Sequence, residues 1–426
     1  MTTPSNGEFD ARTQPAPSSP AAPSPDSVAR TGTDVLTVVD LVRSGRARTR
    51  QDLARETGMG RNTVSHLLRA AEHEGLVVPA GTAPSTGGRA PDTWRFHHET
   101  GTTLVACLHT ALIRLAVTDL AGNPHEVREV SWRIASGPEE TLARLTEHLS
   151  TMSRDLPAPA WSAGISLPGP IDHATGRPVS PPIMPGWDGF DVVGRLTESL
   201  GVPVATDNDV NAMVLGHAVV HGGTDVLYLQ MGTGIGAGLL SNGRLHRGAD
   251  GAAGDIGHVR VPGHDDMVCR CGRTGCLEAV AGGWALVRDG LRLAGEGLSP
   301  HLREVRERNG TVTLTDIVEG VRLGDTECIT LVVSAASAIG DALAMVVSFF
   351  NPGRIVMAGP VPQGCPMFRT VISRIVSERA LDLATGHLEI EVAERPDLDE
   401  LRGCARMAVD TAFTALGVSG GPYNGR

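Results

Sequence analysis

Gly254-Asp255-Ile256-Gly257-His258 and, after ten intervening residues, Cys269-Arg270-Cys271-Gly272-Arg273-Thr274-Gly275-Cys276-Leu277-Glu278 form the most informative stretch of this chain. Three thiols within eight positions and one imidazole upstream supply the four ligands of a closed Cys3His site. This predicts a structural Zn2+ held by His258, Cys269, Cys271 and Cys276. Free thiols clustered on a loop oxidise, which makes chance clustering the weaker reading. Gly272 and Gly275 let the backbone fold around one ion. The same loop carries Asp255 and Glu278, two acids with no ligand duty. The expectation is a metal-braced pocket wall in which the metal is not the catalyst.

At 426 residues the chain has room for two or three domains and an ample core. No apolar run approaches the ~20 residues of a membrane span. The N-terminus lacks the basic and apolar regions of a signal peptide. Three of the seven cysteines lie in the cluster, and Cys107, Cys328, Cys365 and Cys404 are scattered. An odd, dispersed set argues for a reducing cytoplasm over a disulfide framework. The net charge of −11 argues against a nucleic-acid partner for the chain as a whole, so charge must be judged domain by domain. There is no lysine at all, for which a high-GC codon bias is the plain explanation. Residues 1–30, rich in Pro, Ser, Ala and Thr, cannot bury enough surface to offset ordering and are expected to form a disordered tail.

From 31 to 99 the texture becomes that of a helix-turn-helix. Val35, Leu36, Val39 and Val42 share one helical face, and Thr49 can cap a short helix that stops at Gly58. Val64, Leu67, Leu68 and Ala71 mark the buried face of a third helix. Its other face carries Arg61, Asn62, Thr63, Ser65, His66 and Arg69, side chains suited to base edges and phosphates in a major groove. Strands at 76–78 and 93–96 flank a Gly- and Pro-rich loop whose Arg89 is placed for phosphate or minor-groove contact. Nine Arg stand against eight acids over 31–99, so the segment is not strongly basic. A trihelical protein-interaction module is the alternative.

From about residue 100 the pattern is α/β. A hairpin is predicted over 104–108 and 113–117, a helix over 139–152, a strand over 163–167, and later helices over about 326–350 and 399–416. Asn208-Asp209 precedes an apolar run, where it reads as a helix cap or as a pair of directional hydrogen-bonding groups.

The Gly254–Glu278 signature resembles that of the ROK family, which joins bacterial sugar kinases and sugar-responsive transcription regulators on one actin-like fold. Residues 31–99, with Thr86-Gly87-Gly88-Arg89, look like the winged helix fused ahead of ROK regulators. Gly60 departs from the usual Ser and loses a cap or phosphate contact. The resemblance implies a winged helix-turn-helix (31–99) followed by a two-lobed ROK domain (100–426). One lobe covers about 100–212 plus a returning helix at about 399–417, the other about 213–398. It further implies a sugar site at Asn208, Asp209, Asp255, His258 and Glu278, with His258 serving metal and sugar through its two nitrogens. Asp255 replaces a family Glu. ROK kinases carry Asp-x-Gly-Gly-Thr in the first hairpin; here the matching positions are Cys107, His109, Thr110 and Ala111, so the magnesium-binding acid and both glycines are gone. The second glycine segment, Met231–Gly238, is kept in outline, whereas Ala358 and Pro360 disturb the glycine pair near the adenosine site.

The resulting expectation is a cytoplasmic, non-enzymatic regulator. It would be a homodimer or homotetramer binding double-stranded operator DNA and a sugar or sugar phosphate, without membrane contact. An active ROK kinase with a DNA-binding head is the alternative. A third reading is a DNA-binding protein whose cleft is vestigial or senses a protein.

Overall fold

The computed structural model describes residues 32–84, 90–154, 156 and 158–416. The expected tail at 1–30 and the loop residues Thr86 to Arg89 lie outside the described residues.

The N-terminal module consists of helices Thr33–Arg43, Arg50–Thr57 and Arg61–His73, then strands β1 (Val77–Thr82) and β2 (Asp92–Phe96) paired antiparallel. Thr49 Oγ1 accepts from Asp52 N at 3.1 Å and starts the second helix. The third helix begins after Gly60 without a side-chain cap. Its Val64, Leu67, Leu68 and Ala71 are buried against Leu36, Val39 and Leu53 in one apolar cluster.

The body holds two five-stranded mixed sheets. β3 (Thr102–Leu108), β4 (Leu112–Asp119), β5 (Pro124–Ser131) and β6 (Ala160–Leu167) precede a small hairpin of β7 (Ile171–Asp172) and β8 (Arg177–Pro178), and then β9 (Val204–Asn208). They make the first sheet in the order β5-β4-β3-β6-β9, antiparallel through the meander and parallel from β3 to β9. β10 (Val226–Met231), β11 (Ile235–Ser241), β12 (Arg244–Leu245), β13 (Arg354–Ala358) and β14 (Glu389–Val392) make the second, in the order β12-β11-β10-β13-β14. The predicted hairpin, the strand at 163–167 and the helices near 139–152, 326–350 and 399–416 all form.

Two helices fill the space between the sheets: Asp209–His221 and the C-terminal helix Pro396–Ala415. The expected division near residue 212 therefore falls inside a continuous helix. The pair cross at backbone distance, because a Cβ at Gly216 would collide with the Asp399 carbonyl and one at Gly403 with the Ala212 carbonyl. Around them Val105, Cys107, Val214, Tyr228, Leu401 and Cys404 close one core.

The outer face of the second sheet is covered by Thr326–Phe350, and here the sequence reading needs correcting. This 25-residue helix has an 18-residue window of mean hydropathy 1.9, long and apolar enough by length and composition to cross a membrane. Its apolar residues serve the fold: Val332, Ala335, Ala336, Ile339 and Leu343 are buried in the core of that sheet.

Candidate functional site

A cleft of about 550 Å3 opens between the sheets. Its walls are the β3–β4 turn, the start of helix Asp209–His221, the β10–β11 turn and the loop from Gly251 to Glu278. All five predicted sugar contacts, Asn208, Asp209, Asp255, His258 and Glu278, line it.

Asn208 is both a helix cap and a wall residue. Its Oδ1 accepts from Val210 N at 2.9 Å and its Nδ2 donates to the Gly169 carbonyl at 3.1 Å. One N–H and one lone pair are left over for a ligand. Asp209 follows at the first helical position, where Oδ1 accepts from Val210 N at 2.9 Å. Burial and then the charge of Glu400 push its carboxyl up to about 7, against the pull of His109. Glu278 is held through both oxygens, by Ile235 N and by Trp284 Nε1, each at 3.1 Å. Gly234 must be glycine for this contact, since a Cβ there would overlap Glu278 Oε2. Asp255 is more than half exposed at the rim, 3.9 Å from His258 Nε2.

His258 turns its other nitrogen to the thiols. Nδ1 is 3.7 Å from Cys269 Sγ, Cys271 Sγ is 3.7 Å from Cys276 Sγ, and the four potential ligand atoms all lie within 4.8 Å of one another. Around tetrahedral zinc, with bonds of about 2.3 Å to sulfur and about 2.0 Å to nitrogen, neighbouring ligand atoms stand about 3.5–3.8 Å apart. The donor set and spacing fit a metal ion, and the metal would brace the segment that carries Asp255 and Glu278.

Three features of the cleft escaped the sequence reading. Arg247 binds Asp207 Oδ2 through Nε (3.0 Å) and Nη2 (2.7 Å), while Asp207 Oδ1 accepts from Asn208 N and Asn211 Nδ2. This buried pair fixes the backbone that presents Asn208. Trp284 buttresses Glu278 and lies under the guanidinium of Arg270 at 4.9 Å. His109, noted in the sequence only as a lost glycine, lines the cleft with Nε2 3.2 Å from Glu400 Oε2. Glu400 comes from the C-terminal helix, 291 positions away along the chain (400 minus 109). Its one local signal was an acid among the inward residues Leu401, Cys404 and Ala405.

In the N-terminal module Arg61, Asn62, Thr63, His66 and Arg69 are exposed along the third helix and Ser65 is half-buried. Ser65 Oγ donates to the Arg61 carbonyl at 2.9 Å and Arg69 Nε to the Ser65 carbonyl at 3.2 Å. Among the described residues no acid forms an ion pair with Arg61 or Arg69, so their charge faces outward. Arg89 lies outside the described residues. The module is anchored to the body by Arg43, whose Nη2 meets Asp40 Oδ1 at 2.6 Å and Asp410 Oδ1 at 2.7 Å. The Arg43 guanidinium also lies 4.8 Å above the ring of Phe413, which packs against Phe96 and Trp161.

The chain is similar to the xylose repressor of Caldicellulosiruptor bescii, 26% identical over 381 residues, 88% of this chain and 94% of that protein. A glucokinase of Thermotoga maritima is 31% identical over 234 residues, 54% of this chain and 72% of the kinase. Among solved structures, a ROK family transcriptional regulator homologous to the E. coli MLC protein superposes with a TM-score of 0.75 at 20% identity, covering 91% of this chain and 99% of that one. The ROK family pattern matches residues 110–411, from the β3–β4 turn to the last helix. With the second sheet, all of the first but β3, and the Cys-His loop inside that match, the chain belongs to the ROK family.

Proposed function

We propose that this chain is a sugar-responsive transcriptional repressor. The N-terminal module, read as a winged helix-turn-helix, binds operator DNA through Arg61, Asn62, Thr63, Ser65, His66 and Arg69, with Arg89 on the wing. The cleft takes a carbohydrate through Asn208, Asp209, Asp255, His258 and Glu278, and one structural zinc sits on His258, Cys269, Cys271 and Cys276. The chain works in the cytoplasm as a homodimer or homotetramer, so that paired heads meet a pseudo-palindromic operator.

One observation carries this reading. The C-terminal helix backs the cleft residue His109 through Glu400 and, ten residues on, holds the head through Asp410, Arg43 and Phe413. A ligand that alters lobe closure at one end of that helix changes head placement at the other. The repressor relative matches nearly the full chain, whereas the glucokinase matches about half of it. The β3–β4 turn brings a carboxylate-backed imidazole to where a kinase needs glycine amides and a magnesium-binding acid, so ATP turnover with any sugar is expected to stay at background.

The test is binding of the full chain to DNA selected from a random pool, measured against salt. Each of Arg61→Ala and Arg69→Ala should lower the salt slope by about one. DNA binding that survives deletion of 32–99 would sink the reading. Sugar-dependent ADP release that Asp209→Asn abolishes would replace it with a kinase.

A further inference from the structure

The sugar site drawn above leaves the β3–β4 turn without a role, yet the turn carries the most unusual side-chain arrangement in the cleft. His109 Nε2 stands 3.2 Å from Glu400 Oε2, and the other Glu400 oxygen accepts from Ser166 Oγ at 2.7 Å. Glu400 is fully buried, while His109 keeps part of its ring open to the cleft beside Asp209. Burial works to strip the imidazole of its proton. Glu400, and after it Asp209, outweigh that and raise His109 above the ordinary histidine range. Two carboxyl groups and one imidazole thus share charge at the end of the cleft.

Such a cluster suits a hydroxyl. A sugar O–H has one proton to give and two lone pairs to receive, so it can donate to Asp209 and accept from the His109 ring. A phosphate ester at the same place would bring a further ~1.5–2 negative charges beside two acids, with a single imidazole to offset them. The turn residues His109, Thr110 and Ala111 include no glycine that would let backbone amides close around phosphate. The other cations nearby are engaged elsewhere. Arg247 is bound to Asp207, Arg114 behind His109 is paired with Glu129 at 2.8 Å, and Arg270 stacks on Trp284 beside the Cys-His cluster. Asp255 and Glu278 add further negative charge to the opposite wall.

Resting on the sugar-sensing reading above, we propose that His109 and Glu400 complete the effector site, and that they select a sugar whose hydroxyl at Asp209 is free over the same sugar phosphorylated there. His109 makes the contact; Glu400 is the positioning residue that holds the ring in place and keeps anions out.

The experiment uses the full chain and a panel of D-xylose, D-glucose, D-mannose and N-acetyl-D-glucosamine, with the 1- and 6-phosphates of the hexoses. Thermal shift finds binders and calorimetry measures them. A free sugar should bind at least tenfold more tightly than whichever of its phosphates carries the ester at Asp209. His109→Ala should weaken that sugar about tenfold or more, and Glu400→Gln should narrow the gap between sugar and phosphate. DNA binding without sugar serves as the folding control, and if Glu400→Gln fails it, the cleft-facing His109→Ala carries the test alone. A free sugar whose 1- and 6-phosphates both bind as well as it does overturns the inference, as does wild-type sugar affinity in His109→Ala. If no member of the panel binds, the sugar-sensing reading itself falls and takes this inference with it.

Discussion

Asp209 is where the physical chemistry of single residues is sharpest. Its carboxyl titrates near 7 because burial and Glu400 penalise the anion more than His109 supports it. A carboxyl raised in this way binds its proton more tightly folded than unfolded. Its charge therefore weighs against the fold above about pH 7, and the penalty is relieved as pH falls toward the ordinary carboxylate range. A sugar hydroxyl that donates to Asp209 prefers the ionised form, so binding should release a proton below pH 7. Affinity should climb by up to about tenfold per pH unit until about 7 and then level off. The groups facing Asp209 and its partner are His109 on the turn, Glu400 on the C-terminal helix and Arg114 on β4. Calorimetry from pH 5.5 to 8.0, in two buffers of different ionisation heat, checks this. A flat profile in the wild type would refute it, and Asp209→Asn should flatten it. The Asn208-Asp209 pair was legible because its residue types announce their chemistry locally. Glu400 was not, since an acid on a helix reads as solvated until its neighbours in space are known.

At the scale of elements, one loop supplies both the four candidate metal ligands and two cleft acids. Cys269 and Cys276 are buried and Cys271 is exposed, so Cys271→Ser removes a ligand with little loss of packing. The expected outcome is less zinc by elemental analysis, a melting temperature lower by roughly 2–4 °C for each kcal/mol lost, and weaker ligand binding in parallel. A variant that keeps full stability and ligand affinity without metal would show that the loop stands unaided. The amphipathic helices were readable from their spacing, as Val64, Leu67, Leu68 and Ala71 illustrate. The two helices between the sheets were harder to place, because both are buried on most sides and carry no clear polar face. The closeness of their crossing depends on Gly216 and Gly403, which meet partners almost two hundred positions away.

For the whole molecule the question is how a cleft speaks to a head. Arg43 pairs with Asp40 and Asp410, all nearly inaccessible to solvent. Arg43→Met leaves Asp40 buried without a cation and Asp410 with Arg406 as its remaining partner, at a cost toward the lower end of about 3–5 kcal/mol. Adding Asp410→Asn to that variant should restore part of the loss. In the double variant the head should still bind DNA while the sugar no longer changes its affinity, as anisotropy titrations with and without ligand would reveal. Retention of the full sugar response would mean that the signal leaves the cleft by another route.

Sequence alone determined which chemistries the chain carries and roughly where its elements lie. Cysteine spacing, helix caps and apolar periodicity are local properties, written within a few turns of chain. The tertiary structure alone decided which distant groups share charge. His109 meets Glu400, Arg247 meets Asp207 and Arg43 meets Asp410 only once two sheets have closed over the same two helices. Ion pairing depends on distance and on the exclusion of water, and neither exists along an unfolded chain.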